Sequence, residues 1–232
     1  MGAGGKSTLV RALAGELSAG ARVIVATSTK MFVPDWCPVV LCAASGEPAA
    51  RKGGLALSAD ESGSMASTLA SVEAAFSESD VVCVGSAHEP TEKLQSPGLD
   101  FSELAGIADY VLVEADGARH LPLKAHESRE PVIPECAARV VCVAGVDGVG
   151  EPISRACHRP RRFAQLAGVS EDAPATVEAV AAVLNAESLH DVVFINKVES
   201  AEQRETAAHL ASLLNTPAVA GSLWRNEFRC LR

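Results

Sequence analysis

Gly2-Ala3-Gly4-Gly5-Lys6-Ser7-Thr8 runs without a break into Leu9-Val10-Arg11-Ala12-Leu13-Ala14, a glycine-rich turn that opens directly onto a helical pattern. Glycines let successive backbone N–H groups turn inward around an anion, and the first turn of a helix adds the positive end of its dipole. In such a loop the lysine, here Lys6, reaches the β- and γ-phosphates, and the hydroxyl after it, here Ser7, ligates Mg²⁺. The stretch therefore predicts a phosphate loop, with Gly2 to Thr8 as nucleotide-binding residues and a helix over 6–18. The glycine that opens the full pattern and the strand that normally carries the loop have no residues here. The expectation is that about ten residues precede Met1 in the natural protein, enough for such a strand.

Outward from the loop, short β-branched runs recur at 21–28, 80–86, 109–115, 138–145, 191–196 and 217–222. They are almost continuously apolar rather than alternating, the pattern of parallel strands covered on both faces. Helical patterns at 63–78, 160–167, 174–186 and 200–214 fall between them. This alternation predicts an α/β fold, a P-loop NTPase-like, mostly parallel sheet flanked by helices, with its first strand outside the chain and residues 1–232 forming one domain. Ligands of such sheets sit at the carboxyl ends of the strands. Residues 44–62 and 86–100 read as surface loops. Residues 117–137, with Pro122, Pro131 and Pro134, read as a long irregular segment of the kind that carries substrate or partner contacts.

Composition narrows the function. The chain has 232 residues, 48% of them hydrophobic, and a formal charge of −9. That supplies a core and disfavours duplex nucleic acid, and 4% aromatic content disfavours a stacking platform for single strands. No apolar run is long enough to span a bilayer, and no signal-peptide pattern opens the chain. Seven cysteines without a Cys-x-x-Cys pair, three of them (Cys42, Cys83 and Cys142) inside apolar runs, point to a reduced cytoplasm and to thiols used as small hydrophobes.

Two further motifs fit the loop. Val111-Leu112-Val113-Glu114-Ala115-Asp116-Gly117 places two carboxylates at the tip of an apolar strand, where one of them can hold a Mg²⁺-bound water and the Gly117 N–H can approach a γ-phosphate. The sequence leaves open whether Glu114 or Asp116 takes the metal. Val192-Val193-Phe194-Ile195-Asn196-Lys197-Val198-Glu199 ends an apolar strand in Asn-Lys-x-Glu, similar to the guanine-reading Asn-Lys-x-Asp of GTPases. There the carboxylate accepts from guanine N1 and N2 while Asn and Lys brace the loop. Glu199 is one methylene longer, so the fit is weaker, but the motif's place after a late strand, with a phosphate loop at the other end of the chain, favours GTP over ATP without excluding ATP.

Taken together, GAGGKST at 2–8, VATSTKMFVP at 25–34, VEADGARHLPLKA at 113–125, EPVIP at 130–134, VAGVDGVGEPI at 143–153, HRP at 158–160, INKVE at 195–199 and AGSL at 220–223 resemble the YqeC family. The resemblance implies a P-loop NTPase serving as an accessory protein of selenium-dependent molybdenum hydroxylases. It places Lys6 and Ser7 at the phosphates, Thr27, Thr29 and Lys30 in a loop beyond a strand, and Glu114 and Asp116 near the metal. Glu199 stands where Asp is expected, and Arg129 stands where His often precedes Glu-Pro-Val-Ile-Pro. Glu114-x-x-Gly117 is also similar to GTPases that help load metal centres into enzymes, which implies a client or maturation factor as partner and a homodimer.

The resulting expectation is Mg²⁺-dependent hydrolysis of GTP or ATP, with Lys6, Thr29, Glu114, Asp116 and Gly117 at the reacting centre. Two other classes stay open: a non-hydrolysing carrier or scaffold, and a kinase or nucleotidyltransferase whose acceptor binds the 117–137 segment. Among smaller signals, Lys124 and His126 are candidates for substrate contact, and Cys157-His158-Arg159-Pro160 for an anion or soft ligand. His190 and His209 read as solvated, and Trp36 and Trp224 as packing residues or loop anchors.

Overall fold

In the computed structural model the described residues are 2–42, 56–58, 65–88, 91 and 93–231. The single domain expected from length divides into two compact units. Val10–Asp116 with Pro134–Cys136 form a middle unit, and Met1–Leu9, Gly117–Ile133 and Ala137–Arg232 form a terminal unit. Each is mixed α/β, with its own sheet and its own core.

The first helix, α1 (Lys6–Leu17), belongs to the middle unit from Val10 onward. It is followed by β1 (Val23–Thr27), β2 (Lys30–Phe32), β3 (Val39–Cys42), β4 (Ala56–Ser58), α2 (Met65–Ala75), β5 (Val81–His88), β6 (Lys93–Gln95), α3 (Phe101–Ala105) and β7 (Tyr110–Glu114). Five strands run parallel in the order β4-β3-β5-β1-β7, and β6 and β2 add antiparallel at the far end of β5. Alternation along a strand sends neighbours to opposite faces. Val23 and Val25 accordingly pack with Ala14 of α1, while Ile24 and Ala26 pack with Val72 of α2 and Leu104 of α3. Covering both faces is why β1 reads as an unbroken apolar run.

Two expected loops need correction. Residues 56–58 of the 44–62 stretch form β4, and the remainder lies outside the described residues. The 86–100 stretch continues β5 to His88 and contains β6, with Pro90 outside the described residues. Of the three residues of β6 only Leu94 is buried, so the strand carries no periodic apolar signature.

The terminal unit contains β8 (Leu123–Lys124), β9 (Val141–Gly145), α4 (Ile153–Ala156), β10 (Cys157–His158), α5 (Pro160–Ala167), α6 (Val177–Glu187), β11 (Val192–Asn196), α7 (Ala201–Leu213), β12 (Ala218–Ser222) and β13 (Glu227–Cys230). Its main sheet has β9, β11 and β12 parallel with β13 antiparallel on the edge, and β8 and β10 form a small parallel pair. Thr176 caps α6, and Ser200 with Gln203 forms a reciprocal capping box on α7. Phe163, Ile153, Leu210 and Ile195 fill the core beneath these helices. No helix among the described residues is long and apolar enough to cross a membrane.

Apart from the two-residue ladder of β8 with β10, the stretch from Gly117 to Ile133 is held by side chains. Lys124 Nζ donates to the Gly117 carbonyl at 2.7 Å and pairs with Glu130 at 3.1 Å. The His126 N–H donates to Glu187 at 2.6 Å, and His126 Nδ1 meets the other oxygen of that carboxylate at 2.8 Å. Lys124 and His126 are thus interior struts, so the substrate contacts expected of them are not supported by their burial. His209 is half exposed, as expected, but His190 is buried. It sits at a strand start, where the connection from α6 turns inward before β11.

Burial holds the His190 imidazole below its ordinary pKa, a trend opposed by Glu187 and Asp191 and reinforced by His126. The unfolded chain therefore takes up the proton first. Stability from this group is complete above the unfolded value of about pH 6.5 and is lost as pH falls below it. The urea midpoint is expected to drop between pH 7.5 and 5.5, and to drop less in His190→Gln, as read by circular dichroism at each pH.

Candidate functional site

In the terminal unit the glycine-rich loop is a tight, enclosed turn. Gly2, Gly4 and Gly5 have φ of 86°, 82° and 122°, where side chains are strained. All three positions have a second reason to be glycine, and at Gly2 a Cβ would collide with the Val143 carbonyl. A Cβ on Gly4 would collide with the Gly145 backbone, and one on Gly5 would lie 2.6 Å from Asn196 Nδ2. The loop is laid along β9, with the Ala3 N–H donating to the Val143 carbonyl at 2.7 Å and Gly2 bridging Val143 in parallel register. The Gly4 N–H donates to the Leu121 carbonyl at 3.2 Å. Lys6 is buried, with Nζ donating to the Gly2 carbonyl at 2.6 Å, while Ser7 and Thr8 are exposed on the first turn of α1.

The Asn-Lys-x-Glu segment closes on this loop. Asn196 Nδ2 donates to the Gly4 carbonyl at 2.8 Å, and its Oδ1 accepts from the Leu223 N–H at 3.1 Å. One carboxamide thereby joins the end of β11, the glycine loop and the turn after β12. Lys197 takes a left-handed φ of 67°, and its ammonium pairs with Asp147 at 2.7 Å. Glu199 accepts from the Ser222 hydroxyl at 2.9 Å, and the Arg225 N–H donates to the same hydroxyl at 3.2 Å. Asp147, Ser222 and Leu223 were given no role from sequence. Their signals were their place at or just past the ends of apolar strands and inside the family-resembling stretches at 143–153 and 220–223.

The middle unit gathers the remaining candidates at adjacent strand tips. Thr27 of β1 lies opposite Glu114 of β7, and its hydroxyl donates to the Glu114 carbonyl at 2.7 Å. The Thr29 N–H donates to Thr27 Oγ1 at 3.1 Å, whereas Thr29 Oγ1 is buried with no hydrogen-bond partner among the described residues. Glu114 and Asp116 are both buried. Lys30, expected in the loop, instead begins β2. Gly117 belongs to the terminal unit, exposed, with open space where a side chain would be.

Other features are less suited to chemistry. Burial pushes the Cys157 thiol up to about 12, so it packs as a neutral group. Burial, with the neighbouring Lys124 and Arg159 charges, holds His158 below its ordinary pKa. Burial opposes ionisation of Glu130, but hydrogen bonds from Arg159 and Lys124 outweigh it and hold the carboxyl below the usual range. Among the described residues no group of three or more His, Cys, Asp or Glu is placed to hold a metal by itself. A cleft of about 550 Å³ in the middle unit is lined by Arg22, Asp80 and Asp109, which precede β1, β5 and β7. That is the amino end of the strands, opposite to where such sheets bind ligands.

A family model described as YqeC protein matches residues 1–161. The chain belongs to the YqeC family. A curated relative, the uncharacterized protein YqeC of Escherichia coli (strain K12), is 32% identical over 180 residues, which is 75% of this chain and 61% of the relative. No solved structure matches the chain at a significant level. For this YqeC protein the glycine loop and Glu114-x-x-Gly117 fall inside the matched span, and Asn196–Glu199 lies beyond the family model.

Removing the Asn196 carboxamide orphans a buried carbonyl and an N–H at once, and each such loss costs about 1–3 kcal/mol. Asn196→Ala is expected to lower stability by about 2 kcal/mol in urea unfolding. Lys197→Ala breaks a pair whose side chains are 41% and 40% exposed, and is expected to stay within about 0.5 kcal/mol of the parent.

Proposed function

We propose that this protein is a Mg²⁺-dependent nucleoside triphosphatase, taking GTP in preference to ATP, that acts in the maturation of selenium-dependent molybdenum hydroxylases. The observation that carries the nucleotide reading is the Asn196 carboxamide, which ties the glycine loop to the segment whose sequence resembles a guanine reader. The same segment supports GTP, since the Glu199 carboxylate has the acceptor chemistry that guanine N1 and N2 require. The physiological setting rests on what the resemblance to the YqeC family implies. Within that proposal the protein works in the cytoplasm, as a homodimer, on a client hydroxylase or one of its maturation factors.

The residues fit the ion. Mg²⁺ is held through few protein oxygens and mostly by phosphates and water. Ser7, next to Lys6 in the terminal unit, offers a hydroxyl of the kind it takes, and within the middle unit Glu114 and Asp116 are carboxylate donors of the same hard-oxygen class. When bound, the ion neutralises charge on the phosphate oxygens. The chain's part is positioning. The Ala3 and Gly4 N–H groups are committed to the Val143 and Leu121 carbonyls, so in this proposal Lys6 and the positive end of α1 stabilise negative charge on the bridging oxygen as the bond to the γ-phosphorus breaks.

Calorimetry with non-hydrolysable GTP and ATP analogues and Mg²⁺ tests the reading. GTP analogue is expected to bind more tightly than ATP analogue, and Lys6→Ala to weaken binding by tenfold or more, about 1.4 kcal/mol. Release of inorganic phosphate is expected to disappear in the same variant. Binding without phosphate release would favour the carrier reading, product that appears only with an added acceptor would favour group transfer, and unchanged binding in Lys6→Ala would remove the loop from the site.

A further inference from the structure

Trp224 was expected to pack or to anchor a loop, and it does not pack. Its side chain is 90% exposed, the most exposed large hydrophobic among the described residues. The other tryptophan behaves as expected, with Trp36 packed against the middle-unit core and Arg11 over its ring. An indole left almost wholly in water forgoes one of the largest apolar burials a side chain can contribute. A lone exposed aromatic needs no explanation when it rides on a loose loop. The turn bearing Trp224 is pinned.

Three bonds hold that turn. The Leu223 N–H donates to Asn196, the Ser222 hydroxyl donates to Glu199, and the Arg225 N–H donates back to the Ser222 oxygen. Asn226 closes it with a left-handed φ of 55° before β13 begins. Two of these partners, Asn196 and Glu199, belong to the segment that grips the glycine loop. Leu223, the neighbour of Trp224, comes close to that loop, with its Cδ1 3.8 Å from where a Cβ on Gly5 would stand. An aromatic plane on a pinned turn, one residue from the phosphate loop's own brace, offers a stacking surface whose backbone is already ordered before anything binds.

We infer that Trp224 is the base-stacking platform of the nucleotide site, taking the face of a purine whose edge is read at Glu199 and whose phosphates lie in the Gly2–Thr8 loop. This rests on the nucleotide reading above and extends it from the phosphates to the base. Stacking is indifferent to the base edge, so Trp224 contributes affinity for GTP and ATP alike, while any preference between them comes from Glu199. The occupant is a base rather than a protein partner because the pinning bonds lead to the glycine loop and not out along the exposed β13 edge.

The test uses the full chain carrying Trp36→Phe, which leaves Trp224 as the sole indole. Emission and acrylamide quenching are followed with GTP, ATP and inorganic tripolyphosphate, each with Mg²⁺, beside calorimetry on the same samples. The expected result is that both nucleotides shift the emission and shield the indole, while tripolyphosphate binds with no change in it. Trp224→Ala is expected to weaken both nucleotides about tenfold and tripolyphosphate not at all, with Trp224→Phe restoring most of the loss. Nucleotide binding with unchanged quenching, and equal affinity in Trp224→Ala, would overturn the platform while leaving the phosphate loop standing. Failure of tripolyphosphate and nucleotides alike would overturn both. Equal weakening of tripolyphosphate and nucleotides in Trp224→Ala would assign Trp224 to the structure of the turn and overturn the stacking role.

Discussion

A single primary amide organises the terminal unit. Asn196 ends β11 with one donor aimed at the Gly4 carbonyl and one acceptor aimed at the Leu223 N–H. Both are backbone groups on segments that have no ladder partner at that point, so the amide supplies what secondary structure does not. No aliphatic residue of the same size could do this, and a carboxylate could not donate. The amide also sets a steric limit on its neighbour, since it occupies the space a side chain at Gly5 would need. The composition of the glycine loop is therefore dictated in part by a residue far along the chain.

Parallel sheets explain why the candidate residues collect where they do. Thr27 and Glu114 end β1 and β7 in the middle unit, and Gly145, Asn196 and Ser222 end β9, β11 and β12 in the terminal unit. Each is the last residue of a strand whose preceding residues are apolar and, except in β7, mostly buried. Carboxyl ends of parallel strands are where the chain leaves the sheet and where side chains are released from packing duties. In both units the chemistry sits at this edge, and the burial of the strands behind it fixes the positions of the tips.

The irregular segment after Gly117 shows a different way of fixing a chain. Its backbone has few ladder bonds to rely on, and Lys124 and His126 are drawn inward to hold Gly117, Glu130 and Glu187. Buried charged groups are tolerated only with partners, and here each partner is also a tether. The segment is consequently held in place without being periodic, and two residues whose place in a long irregular segment suggested ligand contact turn out to hold the framework.

Local sequence was sufficient wherever one segment's own pattern decides its structure. The apolar runs became β1, β5, β7, β9, β11 and β12, the helical patterns became α1, α2, α5, α6 and α7, and the glycine loop took the left-handed turns its composition requires. Short strands such as β6 and β13 escaped, because one buried residue or none leaves no period to read. The burial of His190 and the exposure of Trp224 escaped for a deeper reason. Whether a side chain faces core or water depends on what other segments pack over it, and neither residue's neighbours in sequence carry that information. The partnership of Asn196 with Gly4, 192 residues apart, is likewise a product of the tertiary fold alone. Sequence determined which residues could bind or brace. Only folding decided which of them meet, because a hydrogen bond between distant segments is specified by the packing that brings them together.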